Sequence, residues 1–130
     1  MKMLRALRRD VRGAAAVEFA LAVPILITFI YGIFQVGLLF QASAGMQHAL
    51  GEGARFATLF PTPTNAQIKT RVEGKVFGNS YGTFAVADPV DGANFKTLSV
   101  TYSMPMNFLF FPGPTVSMSH QKLVYVAPAA

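Results

Sequence analysis

From Ala14 to Phe40 the chain reads AAAVEFALAVPILITFIYGIFQVGLLF, apolar around the whole helical circumference and interrupted by one charge, Glu18. A helix rises 1.5 Å per residue, so this run spans about 40 Å and exceeds a hydrocarbon core of roughly 30 Å. It is also longer than the 7–15 apolar residues usual in a secretory signal peptide. Beyond it the periodicity stays helical from Gln41 to Phe60, with Met46, Leu50, Ala54 and Ala57 at steps of three and four. Gly45, Gly51 and Gly53 weaken that stretch by about 1 kcal/mol each relative to Ala.

Pro61-Thr62-Pro63-Thr64-Asn65 predicts a break. Asn65 then caps a short amphipathic helix carrying Ile68, Val72, Val76 and Phe77, closed by Gly78-Asn79. After a Gly/Asp-rich loop at Asp88–Asn94, Phe95–Ser103 and Thr115–Val126 alternate as strands, and the connection Met104–Pro114 makes them an antiparallel pair. The expected fold is α+β: a long N-terminal membrane helix continuing into a small domain with a short helix and a short antiparallel sheet. Roughly 70 residues beyond Phe60 would bury only a marginal core without the long helix or a partner. The apolar stretch Met104–Pro112 (MPMNFLFFP) is therefore expected to fill the gap between sheet and helix; exposed, it would mark an interface or a lipid contact.

Charge changes the picture at one end only. Lys2, Arg5, Arg8, Arg9 and Arg12 against Asp10 give residues 1–13 a net of +4, and the rest of the chain holds +1 of the total +5. Basic residues confined to one flank of an apolar run predict a cytoplasmic N-terminus and a C-terminal body outside. A nucleic-acid surface would instead spread Lys and Arg over a folded face, so no nucleic acid is expected as a partner. The division is then 1–13 basic leader, 14–40 transmembrane helix, 41–130 extracytoplasmic domain.

Glu18 is the least expected residue, since a carboxylate at the bilayer centre costs on the order of 2.5–3.5 kcal/mol and less near an edge. It either snorkels at the cytoplasmic boundary or takes a cationic partner: Arg12, or a new amino terminus created by cutting after Gly13 and presented by a neighbouring subunit. Ala16, Ala20, Pro24, Thr28 and Gly32 recur every four residues and form a candidate helix-packing face, because small residues let membrane helices approach closely. Pro24 should kink or locally open the helix, with Thr28 four residues on to engage the disturbed backbone. Gln35 either bonds a partner helix or sits at the outer interface.

Candidate chemistry is sparse. His48 and Glu52 share a helical face but lack a third ligand, and His120 has no motif around it. The absence of cysteine excludes disulfides, thiolate metal sites and cysteine catalysis. No enzymatic activity, cofactor or metal is expected.

Arg12-Gly13 followed by Ala14-Ala15-Ala16-Val17-Glu18-Phe19-Ala20-Leu21 resembles the class III prepilin signature, in particular the TadE-like minor pilins, or pseudopilins, of the tight-adherence (Tad/Flp) system. The segment Gly45–Ala57, with Ala54-Arg55, and the late Phe-Leu-Phe-Phe-Pro stretch are similar to the same family. The resemblance implies a leader removed by a membrane prepilin peptidase, with Gly13 its last residue, Ala14 the mature N-terminus and Glu18 the carboxylate that pairs with a neighbour's amine. Glu18-Phe19 in place of the Glu-Tyr of major pilins, and a long mature chain, point to the minor type. It further implies other pilin and minor pilin subunits, the peptidase, an inner-membrane assembly platform and the lipid bilayer as partners. The implied place is a single pass in the bacterial inner membrane, with incorporation in an extracellular pilus and a role in biogenesis, adhesion and biofilm formation. The competing readings are an unprocessed single-pass scaffold of an envelope complex and an anchored ligand-binding module, for which no polar pocket signature is visible.

Overall fold

The computed structural model describes residues 11–78 and 80–126, with side chains from Gly13 onward. Most of the expected leader, the Arg12 side chain and Asn79 lie outside the described residues. The first element, α1 (Val11–Ala57), is one helix of 47 residues, about 70 Å long. It passes residues 40 and 41 without a break. Of Gly45, Gly51 and Gly53, two explain why the helix survives them. A Cβ at Gly45 would stand 2.0 Å from the Phe77 carbonyl oxygen, and one at Gly53 would stand 2.3 Å from Val72. The lost helix propensity is exchanged for close packing against the chain that returns over α1. The helix also continues through Pro24. The Thr28 hydroxyl donates to the Pro24 carbonyl at 2.8 Å, not to the carbonyl at Ala20 that proline deprives of its donor.

The second helix, α2 (Asn65–Glu73), starts one residue earlier in its capping than the spacing suggests. Thr64 is the cap: its hydroxyl accepts from the Gln67 amide at 3.3 Å, and the Gln67 side chain accepts from the Thr64 amide at 2.9 Å. A hydroxyl at this position with a glutamine three residues on closes a capping box. Asn65 turns outward to the sheet instead. The helix stops at Gly74, so Ile68 and Val72 are its buried residues while Val76 and Phe77 belong to the following segment. Gly78 takes φ +87°, and a Cβ there would stand 3.0 Å from the Ala42 amide nitrogen, a conformation and an approach that need glycine.

The sheet is antiparallel and centred on β3 (Phe95–Phe108). Along one edge lie β1 (Thr83–Val86) and the two-residue β2 (Val90–Asp91); along the other lies β4 (Phe111–Tyr125). The expected connection Met104–Pro114 is itself mostly strand: β3 and β4 run on to a tight hairpin with Phe108 opposite Phe111. In β3 the alternate residues Leu98, Val100, Tyr102 and Met104 are buried. They face Ala42, Met46, Ala49, Leu50 and Ala57 of α1, with Ile68 and Val72 of α2 closing the core. The opposite face of the hairpin carries Thr97, Ser99, Thr101 and Ser103 beside Ser117, Ser119 and Gln121. Tyr102 is fully buried, its hydroxyl has no hydrogen-bond partner among the described residues, and burial raises its pKa. Gly82 makes room for that hydroxyl, since a Cβ there would stand 2.5 Å from it.

The Phe-rich stretch departs from the expected core filler. Met104 is buried and Met106 and Phe108 are half-buried, but Leu109, Phe110 and Phe111 are exposed at the hairpin tip. The core is complete without them because the sheet's buried residues already meet the C-terminal half of α1.

Candidate functional site

The N-terminal half of α1 is apolar and bare. Phe19, Leu21, Ile25, Phe29 and Ile33 are all more than half exposed, which in water would be an unsustainable apolar surface. It is long and apolar enough to cross a membrane. Gly13, Ala14, Ala16, Glu18, Phe19 and Ala20 are exposed on this half, and Glu18 forms no ion pair among the described residues.

The five-residue stripe divides. Ala16 and Ala20 stand clear, whereas Pro24, Thr28 and Gly32 form one wall of an apolar groove of about 800 Å³ whose other wall is the β3–β4 hairpin tip. Phe108 comes to 3.7 Å of where a Gly32 Cβ would be. The small residues thus admit an aromatic from the chain's own sheet at their upper end. Phe108 and Phe111 lie with ring centroids 5.0 Å apart across the hairpin.

Gln35 holds this arrangement. It is 4% exposed, its Nε2 donates to the Asn107 carbonyl at 2.7 Å, and its Oε1 accepts from the Asn107 amide at 2.8 Å. The observed hydrogen-bond partner is not another helix but backbone of the same chain, beside the register shift between Pro105 and Asn107. A side-chain amide offers one donor and one acceptor, which is what an exposed strand position presents in reverse. No local period could reveal a pairing across 72 residues.

The other polar candidates go to structural partners. The Glu52 carboxylate meets the Arg71 guanidinium at 3.4 Å, and His48 packs its ring against Phe77 at 5.8 Å, so the two do not converge. The His120 Nε2 lies 2.9 Å from the Ser43 hydroxyl, tying β4 to α1. Among the described residues no group of three or more His, Cys, Asp or Glu could hold a metal ion. At the far end of the sheet, Asn65 donates to the Asp91 carboxylate at 2.7 Å while Lys96 donates to both Asn65 and Asp91. Lys96 first, and Asn65 next, hold the Asp91 carboxyl below the usual carboxylate range. Lys69 pairs with Asp88 at 3.0 Å nearby. Charge is therefore segregated along the molecule. No Asp, Glu, Lys or Arg occurs between Phe19 and Gly51 or between Thr97 and Gln121.

Residues 13–55 match the family model described as TadE-like protein. The match supports a TadE-like protein of the Tad pilus system; it covers α1 from Gly13 almost to its end and leaves α2 and the sheet outside. Comparison with curated proteins and with solved structures gives no match.

Proposed function

We propose that this TadE-like chain is a pilin-like subunit of a Tad pilus, held as a single pass in the bacterial inner membrane by α1 and assembled through the same helix. One coincidence carries the reading: the family match begins at Gly13, where the sequence passes from its basic tail to the apolar run. A helix with this much unpartnered apolar surface suits either lipid or neighbouring helices, and transfer from one to the other costs little hydrophobic free energy. Assembly then depends on packing and on the single charge.

In this reading a prepilin peptidase cuts between Gly13 and Ala14 on the cytoplasmic side, leaving Ala14 as the mature amino terminus. Glu18 meets the amine of a neighbouring subunit, with Phe19 beside it in the contact. Two opposite charges at 4 Å attract several-fold more strongly near a protein–lipid surface than in bulk water. That attraction offsets the cost of keeping a carboxylate in the apolar run. Ala16 and Ala20, clear of the hairpin, remain for close helix–helix approach. The assembly platform and other pilins are the partners, and adhesion and biofilm formation follow from the pilus rather than from chemistry performed by this chain.

The test is intact mass of the membrane-extracted protein from cells with and without a prepilin peptidase. Loss of residues 1–13 only where the peptidase is present is expected, and Gly13→Ala should block it. Glu18→Ala should leave cleavage intact and reduce incorporation into sheared pili at least tenfold. An N-terminus at Met1 in both strains would overturn processing and favour the membrane scaffold. Normal incorporation of Glu18→Ala would overturn charge pairing.

A further inference from the structure

The hairpin tip beside α1 lies at a depth that a membrane-spanning α1 fixes. A hydrocarbon core of roughly 30 Å takes about 20 helical residues. Counted from Gly13, the outer boundary falls near Ile33; counted from Glu18, it falls near Leu38. The groove formed with the tip reaches down α1 to Ile25 and Pro24, and Phe108 stands against Gly32. On either count the tip is below the boundary.

We propose that the β3–β4 hairpin tip, Phe108 to Phe111, inserts into the outer leaflet alongside α1, so that the chain enters the bilayer at two points. The occupant of the groove between them is lipid acyl chain. This rests on α1 spanning a membrane, not on pilus assembly.

Several independent features of this end of the molecule suit lipid. Leu109, Phe110 and Phe111 are exposed, Phe110 at 64%. The hairpin carries no Asp, Glu, Lys or Arg from Thr97 to Gln121. Backbone groups are the usual obstacle to a strand in hydrocarbon, and on the α1 side of the tip two of them are paired. Asn107 turns both its amide and its carbonyl to Gln35. Pro112, which faces Asn107, then occupies a non-hydrogen-bonded position, where a missing N–H leaves nothing unpaired. At the height of the outer boundary Tyr31, Phe34 and Tyr81 cluster, with Phe34 6.4 Å from each tyrosine ring. Aromatic side chains with polar tips are the usual occupants of a membrane interface.

The chain has no tryptophan, so single tryptophans report depth directly. Full-length Phe110→Trp, Phe29→Trp and Phe60→Trp chains would be reconstituted in phosphatidylcholine–phosphatidylglycerol vesicles carrying lipids brominated along the acyl chain. Phe60 is 97% exposed at the other end of the domain and serves as the aqueous control. Bromolipid should quench Phe110→Trp and Phe29→Trp at least twofold, with iodide quenching only Phe60→Trp. Iodide access to Phe110→Trp equal to that of Phe60→Trp, with Phe29→Trp still quenched by bromolipid, would overturn the insertion and leave the span standing. Bromolipid quenching of Phe110→Trp that disappears as protein is concentrated at fixed lipid would overturn it as well, assigning the groove to a second copy of the chain.

Discussion

Replacing Gln35 by leucine isolates what the Gln35–Asn107 pair contributes. The two side chains are similar in volume, so Gln35→Leu removes one donor and one acceptor without opening a cavity. The Asn107 amide and carbonyl, bonded at 2.8 and 2.7 Å in the native chain, lose their partners together. The contact is part-buried, so each group left unpaired costs towards the lower end of the roughly 1–3 kcal/mol of a fully buried one. Two such groups bring the range to about 2–4 kcal/mol, because the tip can lift and let one of them reach water. By the relation of 1.36 kcal/mol per decade, the Asn107 amide should exchange with solvent deuterium about 30- to 1,000-fold faster. The Val100 amide, in the middle of β3, reports larger openings of the sheet and should change far less. Hydrogen exchange in detergent micelles, resolved by residue, measures both. Exchange at Asn107 unchanged within threefold would refute the idea that this pair fastens the hairpin to α1. Gln35→Glu, which keeps an acceptor oxygen for the Asn107 amide, should restore part of the protection that Gln35→Leu removes.

Gly45→Ala should destabilise by about 1–2 kcal/mol, as overpacking against the Phe77 carbonyl outweighs the gain in helix propensity. Gly51→Ala, with nothing near its Cβ, should stabilise by up to about 1 kcal/mol, and equal melting temperatures for the two variants would contradict the packing argument. Thr64→Ala should cost about 1 kcal/mol through loss of the capping box, read from thermal melts of the same preparation. The depressed Asp91 carboxyl contributes stability that is present above its unfolded pKa of about 3.9 and lost as pH falls through the folded value. Acid titrations of stability should therefore be flatter below about pH 4 in Asp91→Asn, and curves that superimpose would remove Asp91 as a contributor.

The parts of the fold legible in the sequence were those written in local pattern. The run from Ala14 to Phe40 is apolar on every face, and a helix that is apolar all round must be buried in something. The alternation in Phe95–Ser103 likewise settled which residues of β3 meet α1. Length and pairing were less legible. The short β1 offers four residues between Gly82 and two loops, too few to show a period. The Phe-rich stretch reads equally well as core and as exposed tip, because hydrophobicity says that a residue avoids water and not what it meets instead. Thr64 and Asn65 are both good caps; Gln67, three residues after Thr64, favours Thr64 through the capping box, and Asn65 is then drawn to Asp91 and Lys96. Gln35 was conspicuous as a polar residue in an apolar run, but its partner lies across the whole domain.

The uninterrupted passage of α1 from its bare half into the core has a mechanical consequence. With no hinge between them, the sheet is keyed to the helix as a vane to a shaft. Each residue along α1 turns the helix by about 100°. Whichever face of the bare half packs in a helical array therefore also dictates the compass direction of the sheet outside it. A one-residue slip between neighbouring helices would swing that heading through more than a right angle, so the Ser/Thr face of the hairpin would display any such error on the outside.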